Sequence, residues 1–376
     1  MRADLRWEAM APDTLPKSSA LEICGHRLQP DAPGFADALA AAFGSHRRPR
    51  CLCRPEGVEM YVARLGDGYI AKRMPDTGSS HMPNCPSFGP PAELFGLRDA
   101  ANSILEDPVS GITTLKLGFS LSKRPQRSRE PLPGTTAVDA EPATKSGRLS
   151  LRSLLHYLWD EAELTRWHPG FAGRRNWATV RRHLLQAADQ KLVGAIPLAN
   201  RLYVPEPWTA DQRDAINDRR ASTWASASLS PSSRQQLLLL IGEVKAIAPA
   251  RQGHRALVKQ VPDLGFAMDD RTYGGLARHF HRELALWSAS DVIRMVMIAT
   301  FGLGQAGAPR LEALCLMAVT REWLPVETLQ EQQLVERLVH GQRSFSKLLR
   351  YDRRRDERMA SVLLTEPLKP AELRFA

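Results

Sequence analysis

The stretch from Cys51 to Cys85 constrains the fold of this chain more than any other. Three of the five cysteines and one histidine occur here as two close pairs, Cys51 with Cys53 and His81 with Cys85, at the two ends of an insert of hairpin length. Three thiolates and one imidazole form a ligand set of structural zinc sites, which need four such donors in a tetrahedron. The pattern therefore predicts a structural Zn2+ site with these four ligands. The alternative is a set of incidental reduced thiols beside a surface histidine.

The insert between the two pairs has the pattern of a β-hairpin. Residues 58–64 and 69–73 are strand-like, and the Asp67-Gly68 step between them supplies the permissive backbone that a tight turn needs. A hairpin would fold the chain back on itself. We therefore expect it to bring His81 and Cys85 to the first cysteine pair.

The charge balance favours a nucleic-acid partner. Lysine and arginine number 51 against 41 aspartates and glutamates, which gives a net charge of +10. Arginine forms paired hydrogen bonds with phosphates, so DNA or RNA is the first partner to consider, and we favour DNA. The alternative is a basic protein whose charge only keeps it soluble.

Composition also bears on location. No run of about 18 apolar residues occurs, so we predict no membrane-spanning helix. The N-terminus lacks the apolar core of a secretory signal, and five cysteines are too few for a disulfide scaffold. We expect a cytoplasmic protein of a bacterial type.

The patterns predict an α+β protein of several segments. These are an N-terminal segment with a short helix (1–45), a small zinc-binding β-hairpin domain (46–121), a disordered linker (122–147), a winged-helix-like unit (148–208), a connector (209–233) and a C-terminal α+β domain (234–376). In the last domain, two hairpins (237–248 with 255–261, and 292–301 with 311–320), each followed by a helix (271–287 and 326–340), predict an antiparallel sheet with helices on one face.

The winged-helix prediction rests on the order of the elements. Apolar residues at helical spacing follow Ser150 and recur from Trp177 to Ala188, and residues 192–196 and 201–204 then have the pattern of a hairpin. In a winged helix, the second helix lies in the major groove of DNA. Two amphipathic helices and a hairpin also form ordinary packed subdomains, and that alternative stays open.

Three groups of basic residues are candidates for contacts with phosphates. They are Arg47, Arg48 and Arg50 beside the first cysteine pair, Arg174, Arg175, Arg181 and Arg182 at the second helix, and Arg343, Lys347, Arg350, Arg353 and Arg354 near the C-terminus. In the last group, Phe345 and Tyr351 could add stacking surfaces. The alternative is that Phe345, Leu348 and Leu349 face the core of the protein while the arginines extend outward to solvent.

Two further functions remain open. Glu243 and Lys245 form a Glu-x-Lys pair on an apolar strand, an arrangement of magnesium-dependent nucleases, although no acidic residue stands on a preceding strand. The same alternation arises in any half-exposed strand. The third possibility is an adaptor that binds other proteins and whose charge is incidental.

Several stretches together resemble a bacterial family known as domain of unknown function 1173. They are Cys51-Leu52-Cys53, residues 60–64, 72–75, 77–78, 81–87, 155–159, 175–177, 202–205, 242–245 and 299–301, and Arg343 with Phe345, Lys347 and Tyr351. The resemblance covers nearly the whole chain from about residue 50. It implies a protein carried by proteobacterial plasmids and integrative conjugative elements, and it implies no known activity.

From these observations we predict a zinc-stabilised protein that binds nucleic acid without catalysing a reaction, as an accessory factor of a mobile element. The magnesium-dependent nuclease and the protein-interaction adaptor are the alternatives. Neither the pattern nor the resemblance excludes protein partners.

Overall fold

A computed structural model of the protein describes residues 19–65, 67–75, 77–89, 101–123, 147–228, 234–304, 307–351, 361–365 and 371–373. Within these residues the chain forms seven α-helices and 21 β-strands, so the fold is of the mixed α+β kind. The core of the metal-ligand region is separate from a larger core that all other regions share.

The N-terminal part is a five-stranded antiparallel sheet with one helix. Its elements are β1 (Leu21–Ile23), β2 (His26–Leu28), α1 (Phe35–Gly44), β3 (Arg50–Cys51), β4 (Val58–Leu65) and β5 (Gly68–Arg73). The strand order is β2-β1-β3-β4-β5, and β4 and β5 pair from Met60 with Arg73 to Leu65 with Gly68. The alanine-rich α1 packs on β4 and β5 through Leu39 and Ala42. We call residues 19–89 the metal module.

The middle of the chain is built around one buried helix. Its elements are β6 (Ile104–Glu106), β7 (Thr113–Leu115), β8 (Ser122–Lys123), α2 (Leu151–Glu161), β9 (Arg166–Trp167), α3 (Trp177–Ala188), β10 (Lys191–Val193), β11 (Ile196–Pro197), β12 (Leu202–Tyr203) and α4 (Arg213–Trp224). Ser150 caps α2 by accepting from the Ser153 N–H at 3.1 Å, and Asn176 caps α3 in the same way. Every residue of α2 from Leu151 to Trp159 is buried, because the helix lies between α3 and two long strands of the C-terminal part.

The hairpin predicted after α3 differs from the observed one. β10 pairs with β11, whereas Leu202 and Tyr203 leave this unit and pair in parallel with Leu239 and Leu240. β10 also pairs in parallel with β7, far earlier in the chain. The helices of the winged-helix prediction are therefore present, but the second strand of its wing belongs to another sheet.

The C-terminal part contains the longest strands. Its elements are β13 (Gln235–Gln236), β14 (Leu238–Pro249), β15 (His254–Val258), β16 (Val261–Met268), α5 (Asp270–His279), α6 (His281–Ala289), β17 (Arg294–Leu303), β18 (Pro309–Val319), α7 (Leu329–His340), β19 (Phe345–Lys347), β20 (Val362–Leu364) and β21 (Ala371–Leu373). β14 pairs with β17 through its first half and with β15 through its second half.

Five of these strands close into a barrel. The order is β14-β15-β16-β18-β17 and back to β14, and all pairs are antiparallel except β16 with β18. α5 and α6 lie between the third and fourth strands in chain order. This connectivity is that of an OB-fold, a five-stranded Greek-key barrel. Phe266 and Phe301 fill the interior, and Trp224 of α4 packs on both, with ring centroids 5.8 and 5.1 Å away.

A closed barrel replaces the predicted open sheet with helices on one face. The prediction lacked β16, whose Pro262 and Gly265 are unfavourable in a strand. It also treated residues 271–287 as one helix, where the chain forms α5 and α6 with Phe280 between them.

Strand pairing also crosses the predicted segment boundaries. β8, at the start of the predicted linker, pairs with β13, and Lys123 contacts Glu312 at 2.7 Å. β9 pairs with β19 near the C-terminus. Residues 124–146, the rest of that linker, lie outside the described residues.

Candidate metal centre

Four side chains predicted as metal ligands come together at one edge of the metal module. Cys51 ends β3 and Cys53 lies in the turn that follows, while His81 and Cys85 lie in the loop after β5. Pairing of β4 with β5 returns the chain and brings this loop beside β3. The loop is pinned where Gly78 and Gly89 meet, because the Gly89 N–H donates to the Gly78 carbonyl at 3.0 Å.

The geometry fits a tetrahedral metal ion. The four ligand atoms all lie within 4.8 Å of one another. Cys51 Sγ lies 3.6 Å from Cys85 Sγ, and His81 Nδ1 lies 3.5 Å from Cys53 Sγ and 3.7 Å from Cys85 Sγ. A tetrahedron with metal–sulfur bonds of about 2.3 Å has edges of about 3.8 Å. Across the described ranges no other group of three or more histidine, cysteine or carboxylate side chains has this arrangement.

The cluster is closed to solvent. His81 is 0 % exposed, Cys51 1 % and Cys85 5 %, and Cys53 is half-buried. The Ser87 N–H donates to Cys85 Sγ at 3.4 Å, a contact that stabilises a thiolate at this position. Four protein donors around one point could bind a metal ion, and together they would fill a tetrahedron, which is the arrangement of structural sites.

The three thiols differ in pKa in the absence of a bound cation. Without one, a hydrogen bond from Cys51 lowers the pKa of the Cys85 thiol to about 3 and raises the pKa of Cys51 above its usual range. Burial raises the pKa of Cys53. A bound metal ion would stabilise all three sulfur ligands as thiolates together.

The three arginines before Cys51 stay at the surface. Arg47, Arg48 and Arg50 are all exposed. Arg48 contacts Glu59 at 3.0 Å, and Arg50 donates to the Glu56 carbonyl at 2.7 Å. Both contacts are at exposed positions, so solvent competes for them.

The arginines around α3 separate into outward and inward groups. Arg174 and Arg182 are exposed. Arg175 instead turns inward, where it donates to the Leu164 carbonyl at 3.1 Å and lies 4.7 Å over the Phe171 ring, and burial lowers its pKa to about 10. The donors of Arg175 therefore face backbone carbonyls, which gives its predicted phosphate contact no support.

Arg181 also has a partner within the protein. It is half-buried, and its Nε donates to the Val204 carbonyl at 3.0 Å. This contact fixes the strand β12 to α3, so we do not retain Arg181 as a contact with nucleic acid.

Of the C-terminal basic group, the structure describes Arg343, Lys347 and Arg350, and none of these three is fully exposed. Lys347 is 4 % exposed and its Nζ lies 2.8 Å from Glu331 Oε1, so its burial gives the predicted contact with nucleic acid no support. Phe345, Leu348 and Leu349 are buried, which agrees with the alternative that they face the core, and Tyr351 is buried as well. Arg343 is half-buried, and Arg350 lies 3.8 Å from Glu327. Arg353 and Arg354 lie outside the described residues.

The neighbours of Glu243 are cations. Glu243 is 3 % exposed, and its Oε1 accepts from Lys259 at 2.6 Å and from Arg294 at 3.2 Å. Two positive groups on one carboxylate oxygen occupy the position that magnesium would need. Lys245 is exposed on a bulge of β14. The surroundings of Glu243 therefore give the nuclease interpretation no metal site.

Sequence reasoning missed two groups of charged residues. One joins the metal module to α2 and β10: Glu161 Oε2 accepts from Lys191 at 2.8 Å and from Lys72 at 3.4 Å. The other is the outer face of β14 to β16, discussed below. The first has no local signal, because its members are 30 and 89 residues apart along the chain.

The fold and the site together define a mixed α+β protein with a Cys3His cluster that could bind a metal ion and a barrel of OB-type connectivity. A family model described as Protein of unknown function (DUF1173) matches residues 21–374, and the chain belongs to this family. The resemblance noted in the sequence is thus confirmed. No curated protein and no solved structure matches the chain. In the described part of the chain, no helix combines the length and apolar character needed to cross a membrane.

Proposed function

We propose that this protein binds nucleic acid without catalysing a reaction, and that a structural Zn2+ holds one of its basic surfaces in place. The four ligands would be Cys51, Cys53, His81 and Cys85. Zinc fits this donor set because it favours thiolates and imidazoles in tetrahedral sites, whereas magnesium and calcium favour oxygen. When bound, the ion would crosslink β3 to the loop after β5.

The observation that carries the proposal is the placement of Arg47, Arg48 and Arg50, which we call the basic run. All three side chains are exposed, while the backbone beneath them is fixed at both ends. At one end the Arg47 N–H donates to the Ala42 carbonyl of α1 at 2.9 Å. At the other end Arg50 lies in β3, one residue before the metal ligand Cys51.

A fixed backbone matters for binding because each ordered side chain costs conformational entropy. Arginines on an ordered segment lose less freedom on contact with a ligand than arginines on a free tail. A guanidinium group also matches a phosphate with two parallel hydrogen bonds. The exposed Arg174 and Arg182 beside α3 supply a second group of the same kind.

Metal analysis tests the first half of the proposal. We expect purified protein to contain one zinc per chain, measured by mass spectrometry of the elements, and Cys53→Ser and Cys85→Ser to lose it. Cys24→Ser is the matched control, because Cys24 is a free cysteine on the same sheet but outside the ligand cluster. Zinc retained in both ligand variants would show that the cluster is not the metal site.

Binding measurements test the second half. We expect fluorescence anisotropy with a duplex and a single-stranded oligonucleotide to show binding that weakens as salt is added, because phosphate contacts release counterions. Replacing the basic run by Arg47→Gln, Arg48→Gln and Arg50→Gln should reduce affinity. Arg27→Gln, at an exposed position of β2, should not. If the wild type binds neither oligonucleotide at low salt, the proposal fails and an adaptor that binds proteins replaces it.

A further inference from the structure

The barrel is covered on one side and open on the other. Every residue of β17 from Met295 to Leu303 is buried, because one face of this strand lines the barrel interior and the other packs against α2. β15 and β16 differ, since only alternate residues are buried. Ala256, Val258, Phe266 and Met268 point inward at 0 to 2 % exposure, and the residues between them face outward.

Strand register places the outward residues in two rows. One row runs across four strands from Ala248 to Arg255, Ala267 and Arg310. The adjacent row holds Ala246, Leu257 and Gly265. We call these seven positions the open barrel face. Most of its side chains are small, so a ligand can approach the sheet closely between the two arginines.

The charges at this face are positive. Arg255, Lys245 and Arg251 are exposed on or beside it. Arg310 is 55 % exposed and shares one contact with Asp269 at 3.2 Å. A second carboxylate at the edge of the face, Asp263, is engaged at both of its oxygens by Arg220 of α4.

Gly265 determines how Arg255 lies. A β-carbon at Gly265 would be 2.8 Å from Cδ of Arg255, so the arginine stem rests directly on the glycine backbone. The backbone of Gly265 does not require glycine, because its φ is not positive. The missing side chain at Gly265 therefore leaves room for the stem of Arg255, which lies along the face.

We propose that the open barrel face binds single-stranded nucleic acid, a ligand class that deepens the proposed function and rests on it. The basic side chains meet phosphates, and the low surface of alanines, glycine and Leu257 receives the apolar faces of bases. A duplex hides those base faces. The face also presents no helix that could enter a groove.

The connectivity agrees with this ligand. In barrels of OB-type connectivity, the second and third strands form an oligonucleotide-binding face. Here those strands are β15 and β16, whose outward positions are exposed or half-buried. Charge and connectivity are independent observations, and both point to the same surface.

The test is fluorescence anisotropy on the full-length chain with an oligonucleotide of about 20 nucleotides, single-stranded or annealed to its complement. The variant Lys245→Gln with Arg255→Gln should bind the single strand about tenfold more weakly at low salt, and its slope of log affinity against log salt should fall by about 1.4, or about 0.7 per lost phosphate contact. Arg337→Gln is the matched control, at an exposed position of α7. Its affinity should equal that of the wild type.

A second variant tests the geometry without changing the charge. Gly265→Ala displaces the stem of Arg255, so we expect weaker single-strand binding at an unchanged unfolding temperature. If the wild type binds but the double variant matches Arg337→Gln, or if the duplex binds more tightly, the open barrel face is not the site. If the wild type binds no nucleic acid at all, the proposed function itself has failed.

Discussion

Lys347 and Glu331 form an ion pair of 2.8 Å, and both side chains are at most 6 % exposed. Lys347 Nζ also donates to the Leu348 carbonyl at 2.7 Å. A buried pair of this kind contributes little relative to apolar residues of the same size, but removal of one partner leaves a charge without compensation. The role of Lys347 is therefore in folding, in contrast to the exposed arginines of the basic run.

We expect Lys347→Met to destabilise the protein by about 3 kcal/mol, because Glu331 would remain buried beside an apolar group. The double variant Lys347→Met with Glu331→Gln should recover most of that loss. Urea unfolding of the wild type, the single variant and the double variant measures the free energies. If the single variant is as stable as the wild type, Lys347 does not stabilise the buried charge of Glu331.

At the scale of elements, the contact between Gly78 and Gly89 decides where two of the four metal ligands lie. A β-carbon on Gly78 would be 2.9 Å from the Gly89 α-carbon, which is too close. The backbone of Gly89 cannot rotate aside as a flexible side chain can, so the loop itself would have to shift. We expect Gly78→Ala to shift the loop that carries His81 and Cys85, and to lower zinc affinity at least about tenfold, as second-shell changes do. Competition with a chromophoric chelator measures the affinity.

Gly44→Ala is the control for that variant. Gly44 is the last residue of α1, its φ is not positive, and a β-carbon there meets nothing within 4 Å. Its zinc affinity should equal that of the wild type. Equal affinity in Gly78→Ala would instead mean that the loop adjusts without moving its ligands.

Elements with a strong local pattern could be predicted from the sequence. The alanine-rich α1 and the capped α2 and α3 depend on neighbours three and four residues away, so the pattern of each shows in a short window. The ligand cluster was predictable for a related reason, since four donors in two close pairs are rare in a chain with five cysteines.

The rest depends on contacts between distant residues. β16 contains Pro262 and Gly265, and it becomes a strand because β15 pairs with it along its length. Arg175 and Arg182 look alike in the sequence, yet the first faces backbone carbonyls and the second faces solvent. Only the tertiary structure distinguishes the two arginines, because the positions of backbone carbonyl groups cannot be read from the pattern of side chains in the sequence.

At the scale of the whole molecule, the metal module is joined to the rest of the chain through the loop of metal ligands. Arg166 of β9 donates to the Pro86 carbonyl and, at 2.7 Å, to the Phe88 carbonyl. Leu348 and Leu363, from the C-terminal part, pack into the core of the metal module. A change in this loop therefore affects contacts made by the rest of the chain.

We expect metal removal to lower the main unfolding transition of the whole chain, by about 5 °C or more in scanning calorimetry, because a structural zinc contributes several kcal/mol to folding. A chelator should shift the wild type and Cys24→Ser equally and leave Cys85→Ser unchanged, since that variant would already lack the metal. Arg166→Gln should reduce the shift in the main transition, because the loop would no longer hold β9. A main transition that stays constant while a small separate one disappears would mean that the metal module unfolds independently, and that zinc stabilises this module alone.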